Sequence, residues 1–225
     1  MCISSRVMGK TITRIFIAIL LATLLLPQTS SAKSKTLESF VGKVSTSLVS
    51  FDYSFSMPTR KGKVTGSGTV KVQGSSFLVD GNGLEIWCDG KTRWTIDRFS
   101  EEALVEYVDD SFDSYATNPA LMISSVDDAF RESSFGTSKF EGKTVDASVL
   151  SPVNKGKGSM DISALKLFFK SGTATLVGAQ VALNDGSVSD FSITNLRFEA
   201  AGKSKESFRF DEKTLESSYV VTDLR

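Results

Sequence analysis

The sequence predicts a mainly β fold with a few helices (α+β): a long antiparallel sheet, one N-terminal helix and a short helical insertion near the middle. Three observations carry that prediction. Apolar residues recur at helical spacing between Thr36 and Phe51, and from there the period is two in one segment after another. The segments are short, about ten or eleven of them, and turn residues divide them. Gly81-Asn82-Gly83, Asp89-Gly90 and Asn184-Asp185-Gly186 are the clearest of those turns. Finally, 40% of the 225 residues are apolar and 23% charged, which suits one globular domain with a real core.

The chain opens with a leader. Arg6, Lys10 and Arg14 are the only charges in the first 32 residues. Ile15 to Leu26 then reads IFIAILLATLLL, followed by Pro27 and by Ser30-Ser31-Ala32. This is the order of a secretory signal peptide, and cleavage near Ala32 would make Lys33 the first mature residue. The apolar run would rise only about 18 Å as a helix, short of the roughly 30 Å of a hydrocarbon core. Met8 is an alternative start that leaves the leader intact. An exported, soluble domain over 33–225 is expected. Losing the leader takes Lys+Arg from 26 to 23 against 26 Asp+Glu, a formal charge of −3, and leaves Cys88 as a lone cysteine on a strand.

After the leader, Leu37, Phe40, Val41, Val44 and Leu48 lie on one helical face, with Ser34 or Thr36 as cap and Glu38 in the first turn. Phe51, Tyr53, Phe55 and Met57 alternate with Asp52, Ser54 and Ser56 as a half-buried strand. Pro58 to Gly62 turns the chain into Val64–Gln73, then Phe77 and Val79, Leu84–Cys88, Thr92–Ile96 and Ala103–Tyr107 follow as a meander. The pattern breaks between Asp109 and Phe135, where Ser111–Asn118 reads as a polar loop. Pro119 there suits a first helical position, ahead of Ala120-Leu121-Met122-Ile123. Strands resume at Lys143–Leu150, Ala164–Lys170, Leu176–Asn184 and Ser187–Thr194, and Phe208, Phe210 and Tyr219–Arg225 close the chain.

Chemistry is scarce. With no His, the Ser-His-Asp hydrolases, the Cys-His proteases and His-bearing zinc sites are excluded. Gly90-Lys91-Thr92 and Gly142-Lys143-Thr144 end like a phosphate loop, but Glu85 and Thr137 stand where its first Gly is needed. Ser163-Ala164-Leu165-Lys166 fits S-x-x-K, yet on a strand those two side chains face opposite ways. The acid pairs Glu101-Glu102, Asp109-Asp110 and Asp127-Asp128 lack metal-loop spacing. No enzyme, cofactor or metal is expected, and the charge balance offers nothing for nucleic acid. What remains is apolar surface. Either the sheet closes on itself and fills with side chains, or it curves around a cavity for an apolar ligand.

At Trp87-Cys88-Asp89-Gly90-Lys91-Thr92-Arg93-Trp94 the sequence resembles the periplasmic outer-membrane lipoprotein carrier family (LolA-like), whose members carry a D-G-K-x-x-W hairpin. The likeness extends in order over most of residues 36–225. It takes in the N-terminal helix, the Phe-rich first strand, the acidic strand ending near Tyr107, Asn118-Pro119-Ala120-Leu121-Met122-Ile123, and Ser207-Phe208-Arg209-Phe210-Asp211 near the end. The resemblance implies a curved antiparallel open half-barrel, with the N-terminal helix and a short helical lid over its concave side. It also implies a monomeric carrier of acylated lipoproteins, working between an inner-membrane ABC-type release complex and an outer-membrane acceptor. On that scaffold, period-2 parity nominates Phe77, Val79, Leu84, Ile86, Trp94 and Ile96 for the concave side, with Leu121 and Met122 from the lid. The alternatives are a non-transporting envelope sensor or interaction module, or a carrier of another lipid. One departure stands out: where the family places an Arg-Pro pair after the second strand, this chain reads Gln73-Gly74-Ser75-Ser76, so that arginine's role in lid opening is not carried over.

Overall fold

The computed structural model describes residues 32–59, 61–108, 118–153, 162–201 and 208–225. The leader, the polar stretch of 109–117 and the loop containing Gly156 and Gly158 lie outside them. Within the unit Lys33–Arg225, one helix precedes six strands: α1 (Lys35–Thr46), β1 (Ser47–Thr59), β2 (Gly62–Gln73), β3 (Ser76–Gly81), β4 (Leu84–Cys88), β5 (Thr92–Asp97) and β6 (Glu102–Tyr107). Two short helices follow, α2 (Pro119–Ser124) and α3 (Val126–Ala129). Five strands come next: β7 (Phe130–Phe140), β8 (Lys143–Pro152), β9 (Ile162–Lys170), β10 (Leu176–Leu183) and β11 (Val188–Ala200). A 3-10 turn over Glu212–Thr214 leads to β12 (Val220–Asp223).

All twelve strands form one curved, open sheet in the order β12-β6-β5-β4-β3-β2-β1-β11-β10-β9-β8-β7. This is the expected fold class, with one parallel pair: β12 runs alongside β6 in the same direction. Strand β7 was not foreseen, because its middle (Glu132 to Ser138) has no apolar alternation; as a sheet edge it is mostly exposed on both faces. Helix α1 is shorter than the spacing predicted. It ends at Thr46, where Ser45 and Thr46 turn their hydroxyls back onto the Gly42 carbonyl (3.0 and 2.9 Å). Leu48, which continues the helical spacing, belongs to the β1 ladder instead, opposite Glu199, and the next residue, Val49, lies opposite Val72 and Phe198.

The helices lie on one side of the sheet, called here the inner face, and share its main core. Phe40 of α1 sits edge-on to Phe169 of β9 (centroids 5.5 Å apart), and Met122, Ile123 and Val126 are buried with Val70, Val72, Phe77 and Leu165. The start of α1 is held from across the sheet. Ser34 caps the helix, its oxygen accepting from the Leu37 N–H, while its own N–H and hydroxyl donate to the buried Glu132 carboxylate of β7 (2.5 and 2.9 Å). Lys33 forms an ion pair with Asp127 beside it.

Burial changes sides between β4 and β5. Phe77 lies opposite Cys88 and Val79 opposite Ile86, so all four share the inner face. Cys88 in turn lies opposite Arg93, and Ile86 opposite Thr95, which puts Trp94 and Ile96 on the outer face. There they form a second core with Ala103, Val105 and Phe210, with Trp87, Leu215 and Tyr219 packed against it. The covering chain is the C-terminal segment, pinned by a hydrogen bond from the Trp94 indole N–H to Glu212 Oε1 (2.8 Å).

Candidate functional site: the apolar inner face

The inner face is continuous from β4 through β1 to β8. Two cross-strand rows show its make-up. One runs Ile86–Val79–Val70–Phe51, and the other Leu150–Leu165–Val181–Ser189. Alternation along each strand keeps these residues on one side, while most of the polar residues between them, such as Ser54, Lys71 and Asp190, face the other way. The cover over this face is not a second sheet. Among the described residues it is three helices of 12, 6 and 4 residues, the second of them capped by the buried Asn118 side chain, which accepts from the Ala120 and Leu121 N–H groups.

The nominated residues divide. Phe77 and Val79 are buried on the inner face, Ile86 is half-buried there, and Leu84 stands at its margin, 37% exposed. In α2, Met122 is buried and Leu121 half-buried against the same core. Trp94 and Ile96 are placed on the opposite face, a correction with a simple cause. A connection of even length between paired strands swaps parity, so even-numbered residues of β4 face odd-numbered ones of β5 across the Asp89–Thr92 turn.

Sequence reasoning missed other parts of the site. Leu165, Leu167 and Phe169 of β9, and Phe191 and Ile193 of β11, supply much of the surface. Their alternation was visible, and could have nominated them. Glu132 gave no such signal, because its partner Ser34 lies 98 residues away in sequence.

Two polar features sit within this apolar surface. Tyr53 lies over Gly68 and Gly81, whose Cα atoms approach so closely that a Cβ on either would collide with the other strand and with the Tyr53 hydroxyl. Burial, and secondarily the Asp80 carboxylate, push the Tyr53 hydroxyl above its ordinary value near 10.0. The neutral phenol therefore stabilises the fold fully below about pH 10, and that contribution is lost as pH rises through the folded-state value. Tyr53→Phe is expected to move the alkaline unfolding midpoint to higher pH in a circular-dichroism titration, with little change in stability at neutral pH.

Ser148 and Ser189 are 0% and 1% exposed, and their hydroxyls have no hydrogen-bond partner among the described residues. An unsatisfied buried hydroxyl costs about 1–3 kcal/mol. Ser148→Ala is accordingly expected to raise the unfolding free energy by about 1 kcal/mol, read from the shift of the urea midpoint at constant slope.

Cys88 is also buried, donating weakly to the Ser75 carbonyl (3.6 Å), and burial holds its thiol above the ordinary range. It behaves as a small core residue and not as a nucleophile. Among the described residues no cluster of three or more Cys, Asp or Glu could hold a metal ion, and no helix is long and apolar enough to cross a membrane.

No family model matches the chain, and no curated protein matches its sequence. Solved structures that resemble it in fold include a domain assigned to outer-membrane lipoprotein sorting from Vibrio parahaemolyticus (10% identity, TM-score 0.43, 77% of this chain and 94% of that one). A LolA superfamily protein from Nitrosomonas europaea matches at 9% identity and a TM-score of 0.43, over 79% of this chain and 99% of that one. The MucA/MucB complex from Pseudomonas aeruginosa matches at 12% identity and a TM-score of 0.34, over 78% and 60%.

Proposed function

We propose that this protein is a periplasmic carrier, exported by its leader, that shelters the acyl chains of lipoproteins against the inner face and ferries them from inner to outer membrane. The observation that carries this reading is the mismatch between the face and its cover. Among the described residues, an apolar surface running from β4 to β8 is closed by three helices of 12, 6 and 4 residues. A six-residue helix such as α2 is far too short to be stable on its own. It holds its shape by packing, so whatever replaces that packing displaces it. An acyl chain gains about 0.8 kcal/mol per buried CH₂, the same kind of free energy that seats Met122 and Ile123, so exchange of one for the other is close to balanced. Such balance suits a carrier, which must release its cargo as well as hold it. An ABC-type release complex and an outer-membrane acceptor are the partners this reading implies, with no catalysis.

The test is titration of the purified protein with a fluorescent acyl probe. Saturable uptake, competed by a synthetic diacylated lipopeptide and reduced by Ile86→Glu on the half-buried inner face, is expected. A protein that takes up no probe, although folded, would rule the carrier out. A second reading, an envelope interaction module, is favoured by how completely Phe40, Met122 and Ile123 already fill the face. Crosslinking in the envelope separates the two: a carrier captures acylated lipoproteins, an interaction module captures a non-acylated partner.

A further inference from the structure

The outer side of the sheet holds a groove of about 840 Å³ that the acyl-chain reading does not use. Its floor is an array of hydroxyls in register: Ser54 lies opposite both Ser67 and Ser192, and Ser56 opposite Thr65 and Asp190. Gln180 extends the second row, its amide donating to Asp190 Oδ1 (2.8 Å). One wall is the turn between β7 and β8, folded back over the sheet. The Phe140 ring stacks on Phe168 at 4.5 Å and rests on Gly178, where any Cβ would collide with it. Next to it the Ser192 hydroxyl donates to Glu141. Asn82, at the turn between β3 and β4, with Phe55, Lys63, Gly66 and Lys139, completes the lining.

From this geometry we infer that the groove is a binding site for a neutral, polyhydroxylated ligand, a saccharide chain. The chemistry of the lining narrows the choice. Lys63 and Lys139 are balanced by Glu141 and Asp190, so the groove offers no net charge to a phosphate or an acidic polymer. Its hydroxyl floor gives an acyl chain no desolvated surface. Strands β1, β10 and β11 are paired on both sides where they form the floor and present side chains there; β2 is paired with β1 alone at Thr65 and Ser67, where the Asn82 side chain accepts from the Ser67 N–H (3.5 Å) and covers part of that edge. The side chains of Ser54, Ser56, Thr65 and Ser67 make no hydrogen bond to any described residue, and each hydroxyl both donates and accepts. A sugar's vicinal hydroxyls match such a paired array, and the half-buried Phe140 ring gives its C–H face a platform. The volume lies within the roughly 300–1,000 Å³ of small-ligand sites. This inference is independent of the inner face and of its cargo.

The test is an NMR titration of the ¹⁵N-labelled protein in four arms: maltohexaose, chitohexaose, inorganic phosphate and palmitate. Saturable shifts of the Ser54, Thr65, Gln180 and Ser192 amides with at least one saccharide are expected, and none there with phosphate or palmitate. Thr65→Val and Gln180→Ala, both on the outer face, should each weaken that binding at least about fivefold while acyl-probe uptake is unchanged. No saccharide shift at these amides up to about 10 mM, a response to phosphate instead, or unaltered saccharide affinity in both variants overturns the proposal.

Discussion

Replacing Phe40 with alanine is expected to lower the unfolding free energy by about 3–5 kcal/mol, the range of a phenylalanine removed from a packed core. Phe40 is 0% exposed and meets two aromatic rings edge-on, Phe169 at 5.5 Å and Phe198 at 6.4 Å. Those partners sit on β9 and β11, so this one side chain ties α1 to two strands that the helix does not adjoin in sequence. Urea denaturation checks the value, and a loss below about 2 kcal/mol would mean that α1 is seated mainly by its Ser34–Glu132 anchor. The same variant bears on function. If α1 is part of a removable cover, loosening it should speed uptake of an acyl probe in stopped-flow mixing, even as the free protein becomes less stable. Slower uptake with unchanged stability would fit neither the packing nor the carrier.

How far the sequence reaches can be seen at particular residues. The face of α1 was legible because Leu37, Phe40 and Val41 follow the helical period, and β1 because Phe51, Tyr53 and Phe55 follow the strand period. The helix end was not. Leu48 continues the helical spacing, and only the Ser45-Thr46-Ser47 run, with hydroxyls that compete for backbone groups, marks the change. Strand β7 was illegible for a different reason: an exposed edge strand needs no apolar alternation, and its ladder to β8 is made by backbone groups that every residue carries. The buried Glu132 was beyond reach too, since its meaning depends on Ser34, 98 residues earlier at the start of the unit. Local period shows which residues share a strand face. It does not show which side of the sheet that face becomes once a turn has intervened.

Trp94 tests that last point, and its replacement by alanine carries the second large expected effect. The indole is 1% exposed on the outer face, hydrogen-bonded to Glu212, and Phe210 and Tyr219 of the C-terminal segment belong to the same cluster. Truncation should cost about 3–5 kcal/mol, from lost packing and from an interaction with Glu212 that nothing replaces. It should also release the C-terminal segment, seen as faster amide exchange at Val220 and Leu224, whose N–H groups donate to the Glu101 and Val105 carbonyls beside β6 (2.9 and 2.8 Å). Acyl-probe affinity, in contrast, should be unchanged at a temperature where the variant remains folded. Phe77→Ala, on the inner face, should do the reverse: weaken probe binding while leaving exchange in the C-terminal segment as it was. The pair separates two roles that parity alone had merged. A Trp94 variant that lost probe binding with its C-terminal segment still protected would place cargo on the outer face, and with it the whole assignment of the two sides of the sheet would have to be exchanged.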